Sequence, residues 1–262
     1  MNRWLQTSLS SNEACPIVFD KAELSYFLPK IIIKKPIIQG SCFGQVNNKL
    51  PLQSIKIAFS RPSFYPPGIK LHVTILEGKT LLNIYPSISP LFHYIQIEDS
   101  KIDSQVFASM TSDNKSPVAG TLEINASLKV VNNSIEDGLM AINSTNFRLP
   151  TQNFKGFEMS QVLLNRLIFE AHFSNKNTLQ IDKIQIGKSA MPIDLNLKGQ
   201  LAISPVSFSH SQLQLNGTLR LSPAILSNFS FVKLFLPQDN TSGTYQMKLM
   251  GPIGNLGAPQ FK

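Results

Sequence analysis

The sequence predicts a mainly β fold: a single, highly curved antiparallel sheet, open like a half-pipe, with one or two short helices. Two observations carry this expectation. The first is period-two alternation across residues 193–253, where Leu195, Leu197 and Leu201, then Leu213, Leu215 and Leu219, then Tyr245, Met247 and Leu249 each occupy one face of a segment. Alternation of this kind marks strands with one apolar and one polar face. The second is a recurring apolar-x-Gly-x-apolar unit, at Ile38–Cys42, Val118–Leu122, Leu197–Leu201, Leu215–Leu219 and Leu249–Ile253. A glycine in an apolar slot marks a bend or a notch, and repeated bends of one sense curl a sheet. Sandwiches and barrels also use strand glycines, so the motif alone does not separate those architectures from a half-pipe.

The elements follow in order. Residues 1–14 are polar and read as a flexible segment, leaving 15–262 as the sheet domain. Residues 20–28 suit a short helix capped by Asp20 and stopped before Pro29. The β-branched runs 31–33 and 37–38 read as strands, with Pro36 marking an edge or bulge. Residues 54–59 and 69–76 alternate cleanly and flank a turn over 61–68, rich in proline. The turn at 77–79 leads into a strand over 81–85, and Pro86 and Pro90 break the chain. Two strands, 94–97 and 102–107, flank a polar turn at 98–101. Further strands span 118–130, 139–147, 165–173 and 179–186. The second helix is predicted over 223–235: Ser222 is a natural N-cap, Pro223 sits at N1, and Ile225, Leu226, Phe229, Val232 and Phe235 have helical spacing.

Composition bounds the function classes. The chain has 262 residues, 42% hydrophobic and 15% charged, enough apolar material for a core. The net charge of +8 comes mostly from dispersed lysines, and the five arginines, Arg3, Arg61, Arg148, Arg166 and Arg220, are scattered. No dense basic stripe suited to nucleic acid is formed. A solvated surface with excess lysine is the plain reading, and attraction to an anionic membrane surface is the alternative. No uninterrupted apolar run of about 18 residues predicts a membrane-spanning helix.

Candidate chemistry is sparse. His72, His93, His172 and His210 are far apart and lack metal-ligand spacing. Ser230 and Lys233 form an S-x-x-K pair without the companion elements of the penicillin-binding enzymes. Glu98, Asp99 and Asp103 form an acidic cluster without EF-hand spacing. The glycines of 251–257 follow a strand, but no helix N-terminus follows to hold a phosphate. The chain therefore reads as non-enzymatic, with no cofactor and no metal. Cys15 and Cys42 are too far apart for C-x-x-C chemistry; they pair in an oxidising compartment and remain two thiols in a reducing one.

The C-terminal region, 157–259, resembles protein N of the bacterial type II (general) secretion pathway. The likeness rests on paired apolar strands ending at Gly187, the run from Leu195 to Ser222 with its Ser-Pro turn, the short helix, and the closing Ser242–Pro259 segment with Tyr245, Gly251, Gly254 and Pro259. Thr241-Ser242 stands where the family usually carries an acidic residue. The earlier part resembles the family more loosely.

The resemblance implies an AsmA-like β-groove domain on the periplasmic face of the inner membrane, following an anchor that this chain lacks. It implies a non-enzymatic secretion-system component that scaffolds or interacts with other secretion proteins. The alternative is a lipid-binding or lipid-transfer module holding acyl chains or contacting a membrane surface. The groove would be lined by Leu195, Leu197, Gly199, Leu201, Leu213, Leu215, Gly217, Leu219, Tyr245, Met247, Leu249 and Gly251, with the glycines leaving room for an acyl chain. A periplasmic location further implies a Cys15–Cys42 disulfide.

Overall fold

A computed structural model describes the chain except residues 1–6, 8, 12–14, 26–28, 40, 42–48, 111–115, 117, 133, 155–156, 190, 205–206, 229–235, 238–242 and 262. The fold is mainly β. The first strands are β1 (Ile17–Val18), β2 (Lys21–Ser25), β3 (Lys30–Lys34), β4 (Ile37–Gln39) and β5 (Lys49–Pro51). The next are β6 (Ser54–Phe64), β7 (Pro67–Glu77), β8 (Thr80–Ile88), β9 (His93–Asp103), β10 (Thr121–Val131) and β11 (Ser134–Leu149). A short pair, β12 (Gln152–Phe154) and β13 (Phe157–Met159), precedes β14 (Val162–Asn175), β15 (Thr178–Gly187), β16 (Ile193–Ala202) and β17 (Gln212–Leu221). The helix α1 (Pro223–Asn228) comes before β18 (Thr244–Pro252) and β19 (Gln260–Phe261). Fourteen strands belong to one antiparallel sheet that does not close on itself, as a barrel would.

The chain divides into two compact units: Met1–Ser116 with Leu122–Gly138, and Pro117–Thr121 with Leu139–Lys262. In the first, the strand order is β2-β3-β6-β7-β8-β9-β10, with β1-β4-β5 as a separate three-stranded sheet. Its core joins Phe19, Ala22, Ile33, Leu50, Leu52 and Ile55. Pro36 parts β3 from β4, as the sequence suggests, and is itself fully buried. In the second unit the order is β11-β14-β15-β16-β17-β18-β19, and its buried residues include Leu164, Phe173, Ile181, Leu197, Leu215 and Tyr245.

Most predicted strands are present and longer than expected. The strand expected over 102–107 instead ends at Asp103, whose Oδ1 accepts the Gln105 N–H at 2.9 Å as the chain turns into a 3-10 helix over Ser104–Met110. The strand expected over 118–130 starts at Thr121, and four further local expectations are corrected. Residues 21–25, expected in a helix, form β2 because Ala22 and Leu24 pair with Ile33 and Ile31 of the β-branched strand beside them; pairing overrides a modest helical preference. Glu23 adds two ion pairs, to Lys34 at 2.7 Å and Lys21 at 3.2 Å. The lysine hydrogen bonds, Lys34 first and then Lys21, hold its carboxyl below the usual glutamate range.

The 61–68 turn shrinks to Tyr65-Pro66, joined by a cis peptide, because both strands run to the tip. Pro86 lies inside β8, opposite Ile95, instead of ending it. The 98–101 segment is no turn. It is a bulge in a continuous β9, with Asp99 at φ 47°. There Ser100 Oγ accepts from the Asn83 N–H at 2.9 Å and lies 3.0 Å from the Glu98 carbonyl, replacing ladder bonds that the bulge removes.

Helix α1 starts where the sequence places it: the Ile225 N–H donates to Ser222 Oγ at 3.3 Å, a side-chain N-cap. Residues 229–235 of the expected helix lie outside the described residues, as do most of the N-terminal segment and the S-x-x-K pair. No helix among the described residues is long and apolar enough to cross a membrane.

Candidate functional site: two apolar sheet faces and a hairpin tip

The twelve residues expected to line a groove fall into four cross-strand rows of the second unit. The rows are Leu195–Leu219–Tyr245, Leu197–Gly217–Met247, Gly199–Leu215–Leu249 and Leu201–Leu213–Gly251. On β15 they continue into Ile186, Ile184, Ile181 and Leu179. Period two along each strand and a shared register put all of them on one face. Of the nine large side chains, Leu197, Leu201, Leu215 and Tyr245 are buried, whereas Leu195, Leu213, Leu219, Met247 and Leu249 are half-buried. The face is therefore neither a sealed core throughout nor a bare strip.

The glycines do not leave the expected vacancy. A Cβ on Gly217 would fall on the carbonyl oxygen of Asn196 and 2.9 Å from the Leu197 Cα; one on Gly199 would fall on the carbonyl of Gln214 and 3.0 Å from the Leu215 Cα. Neighbouring backbone fills these positions, so the glycines permit close main-chain approach. Gly251 has φ 141°, a conformation that side chains disfavour. Gly40, the motif's first glycine, lies outside the described residues.

A comparable face exists in the first unit. One row crosses five strands: Ile31, Ile57, Val73, Ile84 and Ile97. At one end the face is covered, with Ile33 and Ile55 buried near Leu50 and Leu52. In the middle Ile57, Val73 and Ile84 are only half-buried. At the β6–β7 tip, Phe59, Ile69 and Ile88 are exposed. This gradient leaves an apolar strip open toward the hairpin tip.

The opposite face of the same hairpins is polar. His72 stacks on Tyr85 at 4.5 Å and lies 3.1 Å from Asn83 Oδ1. Near the tip a second row runs Arg61–Lys70–Ser87–Tyr94. Lys70 Nζ donates to Gln96 Oε1 at 2.6 Å and sits 5.4 Å above the Tyr85 ring. Arg61, Lys70, Ser87, Tyr94 and Gln96, with Phe64 and Tyr65, line a cavity of about 360 Å³. Sequence reasoning missed this row because it placed 61–68 in a turn, which hides the register that sets Arg61 against Lys70.

Among the described residues, no three His, Cys, Asp or Glu side chains gather as a metal-holding group. Glu98, Asp99 and Asp103 are strung along β9 and its bulge. His172 Nδ1 meets Asp182 Oδ2 at 2.7 Å, an exposed surface pair. Cys15 is disulfide-bonded, and Cys42 lies outside the described residues.

Comparison with known proteins finds no matching family model, no matching curated protein and no matching solved structure.

Proposed function

We propose that this chain is a non-enzymatic binding module that holds acyl chains of phospholipid against the apolar face of its sheet, in the manner of the AsmA-like grooves that its resemblance to the secretion-pathway protein N family implies. The observation that carries the reading is the half-buried row Ile57–Val73–Ile84. An apolar surface that continuous and that incompletely covered suits a ligand or partner. The reading takes the sheet of the first unit to curve around the strip as a half-pipe.

The test is native mass spectrometry of the purified chain, alongside a Val73→Lys variant. Copurifying phospholipid in the wild type, lost from a still β-folded variant, supports the reading. A wild type that carries no lipid and takes up no acyl probe overturns it.

A second reading is favoured by the open sheet. The strand order ends at β2 and β19 rather than closing, and an open edge can add a strand from a partner. On this reading the chain is a scaffolding component of a type II secretion apparatus at the periplasmic face of the inner membrane, with other secretion proteins as partners. Crosslinking at Glu23 of the β2 edge that captures secretion components and no lipid favours it.

A further inference from the structure

We propose that the β6–β7 hairpin tip docks on an anionic lipid bilayer, with Phe64, Tyr65 and Leu91 entering the interfacial zone and Arg61 and Lys70 receiving a lipid phosphate. Among the described residues, these three are the most exposed of the large hydrophobic side chains. Phe64 is 90% exposed, Tyr65 73% and Leu91 68%, and Ile69 and Ile88 are about half exposed beside them. Phe64 and Tyr65 lie at the β6–β7 tip and Leu91 in the β8–β9 connection at the same end of the sheet, so three strongly exposed apolar side chains gather there. The aromatic pair has a support: Tyr65 packs edge-on against Phe92 at 5.4 Å, and Lys129 Nζ lies 5.1 Å from the Phe92 ring. Lys129 is itself paired with Glu136 at 2.8 Å, so the cations left to meet a headgroup are Arg61 and Lys70. An aromatic ring with a polar end beside them suits the boundary between hydrocarbon and headgroups.

Charge says which surface covers the patch. Arg61 and Lys70 stand directly opposite each other across the β6–β7 ladder. Like charges in that position repel, and neither forms an ion pair with a carboxylate among the described residues. The cavity of about 360 Å³ they line opens beside Phe64 and Tyr65 and adds Ser87, Tyr94 and Gln96 as hydrogen-bonding partners. An anion there relieves the repulsion and is held by an arginine fork and a lysine point charge. A phosphate set next to an apolar, aromatic tip has the layout of a lipid headgroup above its acyl region. The net charge of +8 adds a long-range attraction to the same surface.

This site uses other residues than the apolar strip, so its failure and the failure of acyl-chain holding are separable. The experiment is cosedimentation of the full chain with vesicles of phosphatidylglycerol and phosphatidylcholine mixed, against phosphatidylcholine alone. The wild type is expected to bind the anionic vesicles preferentially, less so as salt rises. Phe64→Ser with Leu91→Ser should weaken binding to both vesicle types roughly tenfold or more. Arg61→Gln with Lys70→Gln should weaken the anionic preference by roughly fivefold per charge, leaving only the attraction of the remaining dispersed charge. The melting temperatures of the wild type and the tip variant should agree closely, because Phe64 and Leu91 are exposed. Circular dichroism checks that the charge variant, which loses the Lys70–Gln96 hydrogen bond, keeps its β fold. No binding of wild type to anionic vesicles at low salt overturns the proposal, as does unchanged binding by the folded tip variant. Calorimetric binding of inorganic phosphate without vesicle binding overturns it too, and would assign the cavity to a free anion.

Discussion

Replacing Gly217 with alanine tests the close approach of β16 and β17. The new Cβ would fall on the Asn196 carbonyl oxygen and lie 2.9 Å from both the Asn196 carbonyl carbon and the Leu197 Cα. Ordinary carbon contacts sit at about 3.5–4.0 Å, and the obstacle is backbone, which no rotamer change can move. The strands must part locally while their ladder, paired from Ile193–Leu221 to Ala202–Gln212, holds them together. Forced overpacking costs about 1–3 kcal/mol. At about 2–4 °C per kcal/mol for a chain of this size, the melting temperature should fall by about 2–12 °C. Gly78→Asn is the control: Gly78 has φ +55° and nothing within 4 Å of its Cβ position. Asparagine tolerates that conformation, so its effect should stay within about 0.5 kcal/mol. Thermal denaturation followed by circular dichroism reads both. A Gly217→Ala variant that melts with the wild type would show that the strands do not meet as closely as described. Gly217→Leu, which would block an acyl chain in a vacant notch, is expected to lose the fold before it tests the ligand.

Three further outcomes are expected. Leu164, 1% exposed, should cost about 2–5 kcal/mol on truncation to alanine. Its neighbour Leu163, 52% exposed, should stay within about 0.5 kcal/mol; equal costs in urea melts would refute the assigned facing of β14. Glu23, whose folded pKa is lowered by Lys34 and Lys21, contributes stability above its unfolded pKa that is lost as pH falls through the folded value. The melting gap between wild type and Glu23→Gln should therefore be present at neutral pH and fade below the ordinary glutamate value of about 4.3; a gap that widens in acid refutes the pairing. The third outcome concerns the disulfide of Cys15, with Cys42 the chain's other cysteine. Its reduction should lower stability by about 3 kcal/mol in the chain-entropy account, and reactive thiols in oxidised, denatured protein would refute the pairing.

Strand positions were legible in the sequence wherever alternation ran unbroken. The facing of Leu195, Leu215 and Tyr245 follows from period two alone, and so does their sharing of one face once the strands pair consecutively. What escaped was set by partners distant in the chain. Residues 21–25 look helical until Ile31 and Ile33 stand beside them. The acidic Glu98-Asp99 pair looks like a turn, but Ser100 supplies hydrogen bonds that let β9 continue past a bulge. Pro86 looks like a terminator, but it sits in β8 opposite Ile95. The glycine motif marked real backbone constraints, yet the sequence could not tell a vacant slot from one filled by a neighbouring carbonyl. Arg61 and Lys70, nine positions apart and read on either side of a turn, became neighbours only when the hairpin narrowed to two residues.

In the first unit β6 through β9 run side by side in chain order, and in the second β14 through β19 do the same. Each strand leans on the one made just before it, so the sheet assembles by successive zipping of hairpins rather than by searching for remote partners. The same arrangement makes length adjustable. A duplicated hairpin inserted at a turn such as Lys176-Asn177 or Gly78-Lys79 adds two strands and disturbs no pairing beyond its own neighbours. A scaffold of this kind can be lengthened or shortened over evolutionary time in steps of one hairpin, and the reach of whatever surface it carries changes by the same step.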